Sequence, residues 1–115
     1  MSYDLEIAVR VDGTDLYAMI DRPEYYSPTY NLRDMFVACM DWDYSQHVYY
    51  KCSEVINNIE RGIRELRTHR DVYEQYNPPN GWGTIDTAVR ALESLRVCIY
   101  ENAEVIPIEH LYMRW

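Results

Sequence analysis

Apolar and polar residues alternate from the start of the chain, with Tyr3, Leu5, Ile7, Val9 and Val11 separated by Asp4, Glu6, Ala8, Arg10 and Asp12. A period of two predicts a strand with one buried face. Asp12-Gly13 is a hairpin signal, and Leu16 to Ile20 can return beside the first strand. Further on the period lengthens to that of a helix. Leu32, Met35, Phe36 and Cys39 recur at helical spacing behind the candidate cap Asn31, with an end near Met40. The plainest stripe is Cys52, Val55, Ile56, Ile59, Ile63 and Leu66, in a helix expected from Ser53. Asp71 reads as the cap of a short helical turn through Val72, Tyr73 and Tyr76. Ile85, Ala88, Val89, Leu92, Leu95 and Ile99 predict a last helix from about Ile85 to Tyr100.

Residues 103–115 are rich in β-preferring side chains and predict one or two short strands broken at Pro107, since proline is confined to strand edges and interruptions. Pairing of Leu111 to Trp115 with the first strand would close one antiparallel sheet. The expected fold is therefore α+β over residues 1–115 as a single domain: a small antiparallel sheet, made of an N-terminal hairpin plus a C-terminal strand, packed against about three helices.

Between the last two helices lies Asn77-Pro78-Pro79-Asn80-Gly81-Trp82-Gly83. The prolines fix φ and donate no backbone hydrogen bond, and Asn77 before a proline is pushed out of helical geometry, so the preceding helix ends by about Tyr76. Asn80-Gly81 tolerates positive φ, and Gly83 leaves room for a close backbone approach. Thr84 is an N-cap candidate, with Asp86 placed to complement the helix dipole. Trp82 has two readings, presentation from a stiff loop or an indole that plugs the core between helices; packing is the expectation, because a rigid aromatic is commonly kept for it.

This turn, within the run from about Asp71 to Ala88, together with Tyr3-Asp4-Leu5 and the Asn31-Leu32 helix start, resembles a family of small proteins encoded by bacteriophages and prophages, to which no reaction is assigned. The resemblance implies a mobile-element origin and no particular chemistry.

Charge changes the picture most. The chain has a formal net charge of −8, and its first 50 residues hold 9 Asp or Glu against 3 Lys or Arg. A field of that sign repels nucleic acid at long range and favours basic partners, although it also serves solubility. No apolar run reaches membrane-spanning length, and the N-terminus lacks the pattern of a signal peptide, so a cytoplasmic protein is expected. Cys39, Cys52 and Cys98 form no Cys-x-x-Cys pair and read as buried free thiols.

Two stretches are candidate contact surfaces. Residues 21–30 carry two prolines and the tyrosines Tyr25, Tyr26 and Tyr30 in a loop without period, which suits either a binding surface or packing on the sheet edge. Asp41, Trp42, Asp43 and Tyr44 interleave carboxylates with aromatics. Asp41, Asp43 and Ser45 match the first ligands of a calcium loop, but Gln46 stands where glycine is needed and Cys52 where glutamate is. A mixed metal site of Cys39, Asp41, Asp43 and His47 fits no recognised spacing.

No nucleophile elbow, phosphate-cradling glycine loop or metalloprotease helix is found, so no cofactor is assigned. The expected function is that of a non-enzymatic phage or mobile-element accessory protein acting by protein–protein binding. Its concrete form is an acidic inhibitor of a host nucleic-acid-handling or defence protein, in an anti-CRISPR-like or other anti-defence role. The partner would be a host protein with a basic surface, met in the host cytoplasm, with neither membrane nor nucleic acid bound. Two alternatives stay open. Arg61, Arg64, Arg67 and Arg70 could contact phosphates, unless neighbouring carboxylates such as Glu60 and Glu65 balance that face. A small thiol or metal enzyme would need Cys39 or Cys52 to meet His47 in space.

Overall fold

The computed structural model describes residues 2–43 and 48–115. Four strands, β1 (Glu6–Arg10), β2 (Tyr17–Asp21), β3 (Tyr49–Lys51) and β4 (Leu111–Arg114), form one antiparallel sheet in the order β2-β1-β4-β3. The C-terminal strand lies between β1 and β3, pairing Ile7 with Met113 and Val9 with Leu111. The expected closure of the sheet by the two ends of the chain is thus observed. β3 is an addition, because three residues before a helix carry too little period to be read as a strand.

Helices α1 (Arg33–Met40), α2 (Cys52–Thr68) and α4 (Ile85–Ala103) cover one face, with a single helical turn, α3 (Arg70–Tyr73), between the last two. Tyr3, Leu5 and Ile7 from the first strand and its approach, with Leu111, Met113 and Trp115, point into the core and meet the apolar stripes of the helices. Each such side chain contributes on the order of 1.5–3 kcal/mol by leaving water. The alternation fades at Val11, which is exposed at the hairpin end. Gly62 lets the helices close up: a Cβ there would stand 2.9 Å from Leu92 Cδ1 and 2.9 Å from Met40 Cγ.

Several helix boundaries differ from expectation. Thr29, not Asn31, caps the first helical segment, accepting from the Asn31 N–H at 3.2 Å ahead of a 3-10 turn (Tyr30–Leu32) that runs into α1. His69 rather than Asp71 precedes α3. Helix α4 continues three residues past Tyr100 to Ala103, so no strand forms around Val105; Pro107 instead starts a 3-10 turn (Ile108–His110) before β4.

The Asn77–Gly83 turn behaves as its residues require. Gly81 and Gly83 adopt φ of 75° and 99°. Asn77 Oδ1 accepts from the Ile85 N–H at 3.2 Å, Asn80 Oδ1 accepts from the Trp82 N–H at 2.9 Å, and Thr84 forms a capping box with Thr87. A Cβ on Gly83 would stand 2.9 Å from both Leu32 Cγ and Thr29 Cγ2, so the turn is seated on the start of the first helical segment. Trp82 corrects the expectation of core packing. Its side chain is 69% exposed, because the glycine that follows it makes the close contact and the indole is left outside.

Candidate interaction surfaces

The tyrosine loop lies along the N-terminal approach to β1. The Leu5 N–H donates to the Tyr26 carbonyl and the Tyr3 N–H to the Pro28 carbonyl, each at 2.8 Å, so backbone pairing continues past the strand. The three rings then separate. The half-buried Tyr25 has its N–H on Ser94 Oγ at 2.8 Å and the Arg90 guanidinium 5.0 Å from its ring centre. Tyr26 is exposed, with Arg22 at 5.1 Å over its ring. Tyr30 packs edge-on against the buried Tyr3, their ring centres 4.5 Å apart.

Residue Asp41 ends α1 in the left-handed region at φ 57°, and it is exposed. Trp42 beside it is 55% exposed. Asp43 Oδ2 accepts from Arg33 Nη2 at 2.7 Å. Tyr44 lies outside the described residues, as do Ser45, Gln46 and His47. Asp43 and Tyr30 both lie close enough to Tyr3 to influence its hydroxyl, which burial pushes up to about 12. The structure therefore brings Tyr30 and the Asp41–Asp43 segment to one end of the molecule and sends Tyr25 to α4. Asp12 and Asp15 sit in the β1–β2 turn, at the other end of β1 from Asp4 and Glu6, so the carboxylates of the first half are divided between two ends.

Among the four arginines of the proposed phosphate row, three are engaged. Arg61 donates to the Cys39 carbonyl and lies 3.4 Å from Glu65. Arg67 pairs with Glu93, and Arg70 with Asp86 at 3.0 Å. Two of these carboxylates come from α4, which sequence spacing along α2 does not reveal.

All three thiols are buried, and burial pushes each up to about 12. A thiol so placed stays protonated at neutral pH and is a poor nucleophile and ligand. Among the described residues, no three or more His, Cys, Asp or Glu side chains are gathered where they could hold a metal ion, and no helix is long and apolar enough to cross a membrane.

Sequence reasoning missed the sheet's outer face. Tyr17 from β2 and Tyr49 from β3 stack with ring centres 4.1 Å apart, and Tyr112 of β4 meets Tyr17 edge-on at 5.1 Å. Tyr49 donates its hydroxyl to Glu6, while Arg114 lies over its ring. Ala8, on the same face between these strands, is fully buried. The signal was present in the polar positions of the alternation, where Tyr112 and Arg114 fall opposite Ala8 and Glu6. Searched against protein-family models, curated proteins and solved structures, the chain matches none.

Proposed function

We propose that this chain is a non-enzymatic accessory protein of a phage or other mobile element, acting by protein–protein binding in the host cytoplasm on a host protein with a basic surface. Its concrete role is that of an acidic inhibitor of a nucleic-acid-handling or defence protein. The observation that carries this reading is the end of α1, where the exposed carboxylate of Asp41 adjoins a Trp42 that is 55% exposed. An exposed tryptophan is a residue type from which contact hot spots are built, and the carboxylate beside it, on a chain of net charge −8, adds complementarity to a basic partner. The engagement of Arg61, Arg67 and Arg70 by carboxylates or a carbonyl weighs against the phosphate-binding alternative, and the raised thiols weigh against the thiol-enzyme one.

The test is a tagged pull-down from bacterial lysate with mass spectrometry, run in parallel with Asp41→Lys and Trp42→Ala chains. A basic host protein retained by the parent and lost from both variants supports the proposal. Retention indifferent to both substitutions contradicts the placement of the contact at the end of α1, and recovery of nucleic acid instead favours the arginine row.

A further inference from the structure

The two edges of the sheet are protected unequally. β3 is three residues long and ends in Lys51, and shortness and an edge lysine are both devices that discourage pairing. β2 is five residues long; its register against β1 shifts between Ile7 and Ala8, but Tyr17 to Met19 stay in regular register, and the apolar Leu16, Met19 and Ile20 on or beside it are exposed, Leu16 to 67%. Its backbone is also available. The Val11 N–H donates to the Leu16 carbonyl at 2.8 Å, and hydrogen-bonded pairs alternate along an antiparallel ladder. Val9–Ala18 is then the next bonded pair, and Tyr17 and Met19 direct their N–H and C=O groups away from β1.

Acidic residues flank this edge. Asp15 precedes β2, Asp21 ends it, and Glu24 follows shortly after. At Asp21 the edge meets an open groove of about 740 Å³ between residues 21–25 and α4, lined also by Val97 and Glu101. Of the groove's arginines, Arg67 pairs with Glu93 and Arg90 lies at the Tyr25 ring, while Arg22 lies over the Tyr26 ring and donates from Nε to Met19 Sδ at 3.3 Å.

We infer that β2 receives an extended basic segment of a partner protein by strand addition, its main chain pairing with Tyr17 and Met19. Its alternate side chains divide between the two faces of the sheet: the apolar ones rest on Met19 on the outer face, and the lysines or arginines face Asp21, Glu24 and Glu101 on the helix side. Strand addition takes affinity from main-chain hydrogen bonds and specificity from alternate side chains. A second copy of this chain is a poor occupant, since it would bring the same acidic flanks and a net charge of −8 against themselves. The inference rests on the reading of this protein as a binder of basic proteins, but it concerns a different surface from the end of α1.

The experiment titrates the full chain, labelled with ¹⁵N, with a peptide of alternating lysine and valine, with its glutamate–valine counterpart, and with the lysine peptide methylated on alternate backbone nitrogens. The lysine peptide is expected to bind, shift the amides of residues 17–21 and 97–101, and slow hydrogen exchange at Tyr17 and Met19. Backbone methylation of the peptide is expected to weaken it roughly tenfold. The glutamate peptide is expected not to bind. Equal affinity for the methylated peptide, or shifts confined to residues 41–43, overturns strand addition while leaving a basic partner in place. Absence of binding by the lysine peptide overturns the inference, and the pull-down then decides the broader reading separately. Concentration-dependent dimerisation with protection of Tyr17 and Met19 in the peptide-free chain assigns the edge to self-association and likewise overturns it.

Discussion

Tyr17 and Tyr49 stack 8° from parallel although their strands are the two opposite edges of the sheet. The rings reach over β1 and β4 and meet above a face that also buries Ala8, so the pair clasps the sheet from outside. Stacked aromatic pairs contribute about 0.5–1.5 kcal/mol beyond their burial. A double-mutant cycle with Tyr17→Ala and Tyr49→Ala, read by denaturant unfolding, is expected to give a coupling of that size. Additive single losses would mean that the rings do not hold the edges together.

The two glycines of the turn predict different penalties. Gly81 and Gly83 both have positive φ, but a Cβ on Gly81 meets nothing within 4 Å, whereas one on Gly83 strikes Leu32 and Thr29. Gly81→Ala is expected to cost about 1–2 kcal/mol from the left-handed backbone alone. Gly83→Ala adds overpacking of about 1–3 kcal/mol to that strain. Chemical denaturation that ranks the two equally would contradict the seating of the turn on residues 29–32.

Trp82 and Trp115 are chemically alike and placed oppositely, at 69% and 2% exposure. Trp82→Ala is expected to change stability by no more than about 0.5 kcal/mol, as at an ordinary surface site. Trp115→Ala, which removes an indole packed edge-on against Phe36 at 5.1 Å, is expected to cost about 3–5 kcal/mol. The melting temperatures of the two variants check this, and a large loss at Trp82 would return it to the core.

Alkaline pH is expected to destabilise the fold. Burial raises Cys39, Cys52 and Cys98 from 9.0 to about 12 and Tyr3 from 10.0 to about 12. Since the folded value exceeds the unfolded one, the stability linked to each protonated group is complete below its unfolded value. It is lost as pH rises from there towards the folded value. The window opens near pH 9 for the thiols and near pH 10 for Tyr3. At about pH 10, Cys39 and Cys52 each forfeit on the order of 1.4 kcal/mol. Melting curves collected upward from neutral pH should fall steeply beyond that onset, and replacing Cys39 by alanine should soften the fall. A flat profile would show the thiols to be less buried than they are here.

Much of the fold was legible because the core face is written in simple periods. Tyr3, Leu5 and Ile7 at a spacing of two, and the stripe from Val55 to Leu66 at helical spacing, each name the side that is buried. What stayed hidden depends on contacts between distant parts of the chain. The tyrosine loop joins the sheet through the Tyr26 and Pro28 carbonyls, which no side-chain pattern reports. Arg67 and Arg70 meet Glu93 and Asp86 across a helix interface. Of the expected contact residues, Tyr30 and Asp43 come together around Tyr3, whereas Tyr25 turns to α4. Trp82 was misjudged because Gly83, one residue on, takes the packing role.

The claim on which the functional account turns is that carboxylates on a fixed surface attract a basic protein. Its most direct test is the affinity for the captured partner between about 0.1 M and about 1 M salt, over which the Debye length falls from about 10 Å to about 3 Å. The account predicts a steep loss of affinity across that range, shallower for the Asp41→Lys chain. An affinity that holds constant with salt for both chains would contradict it.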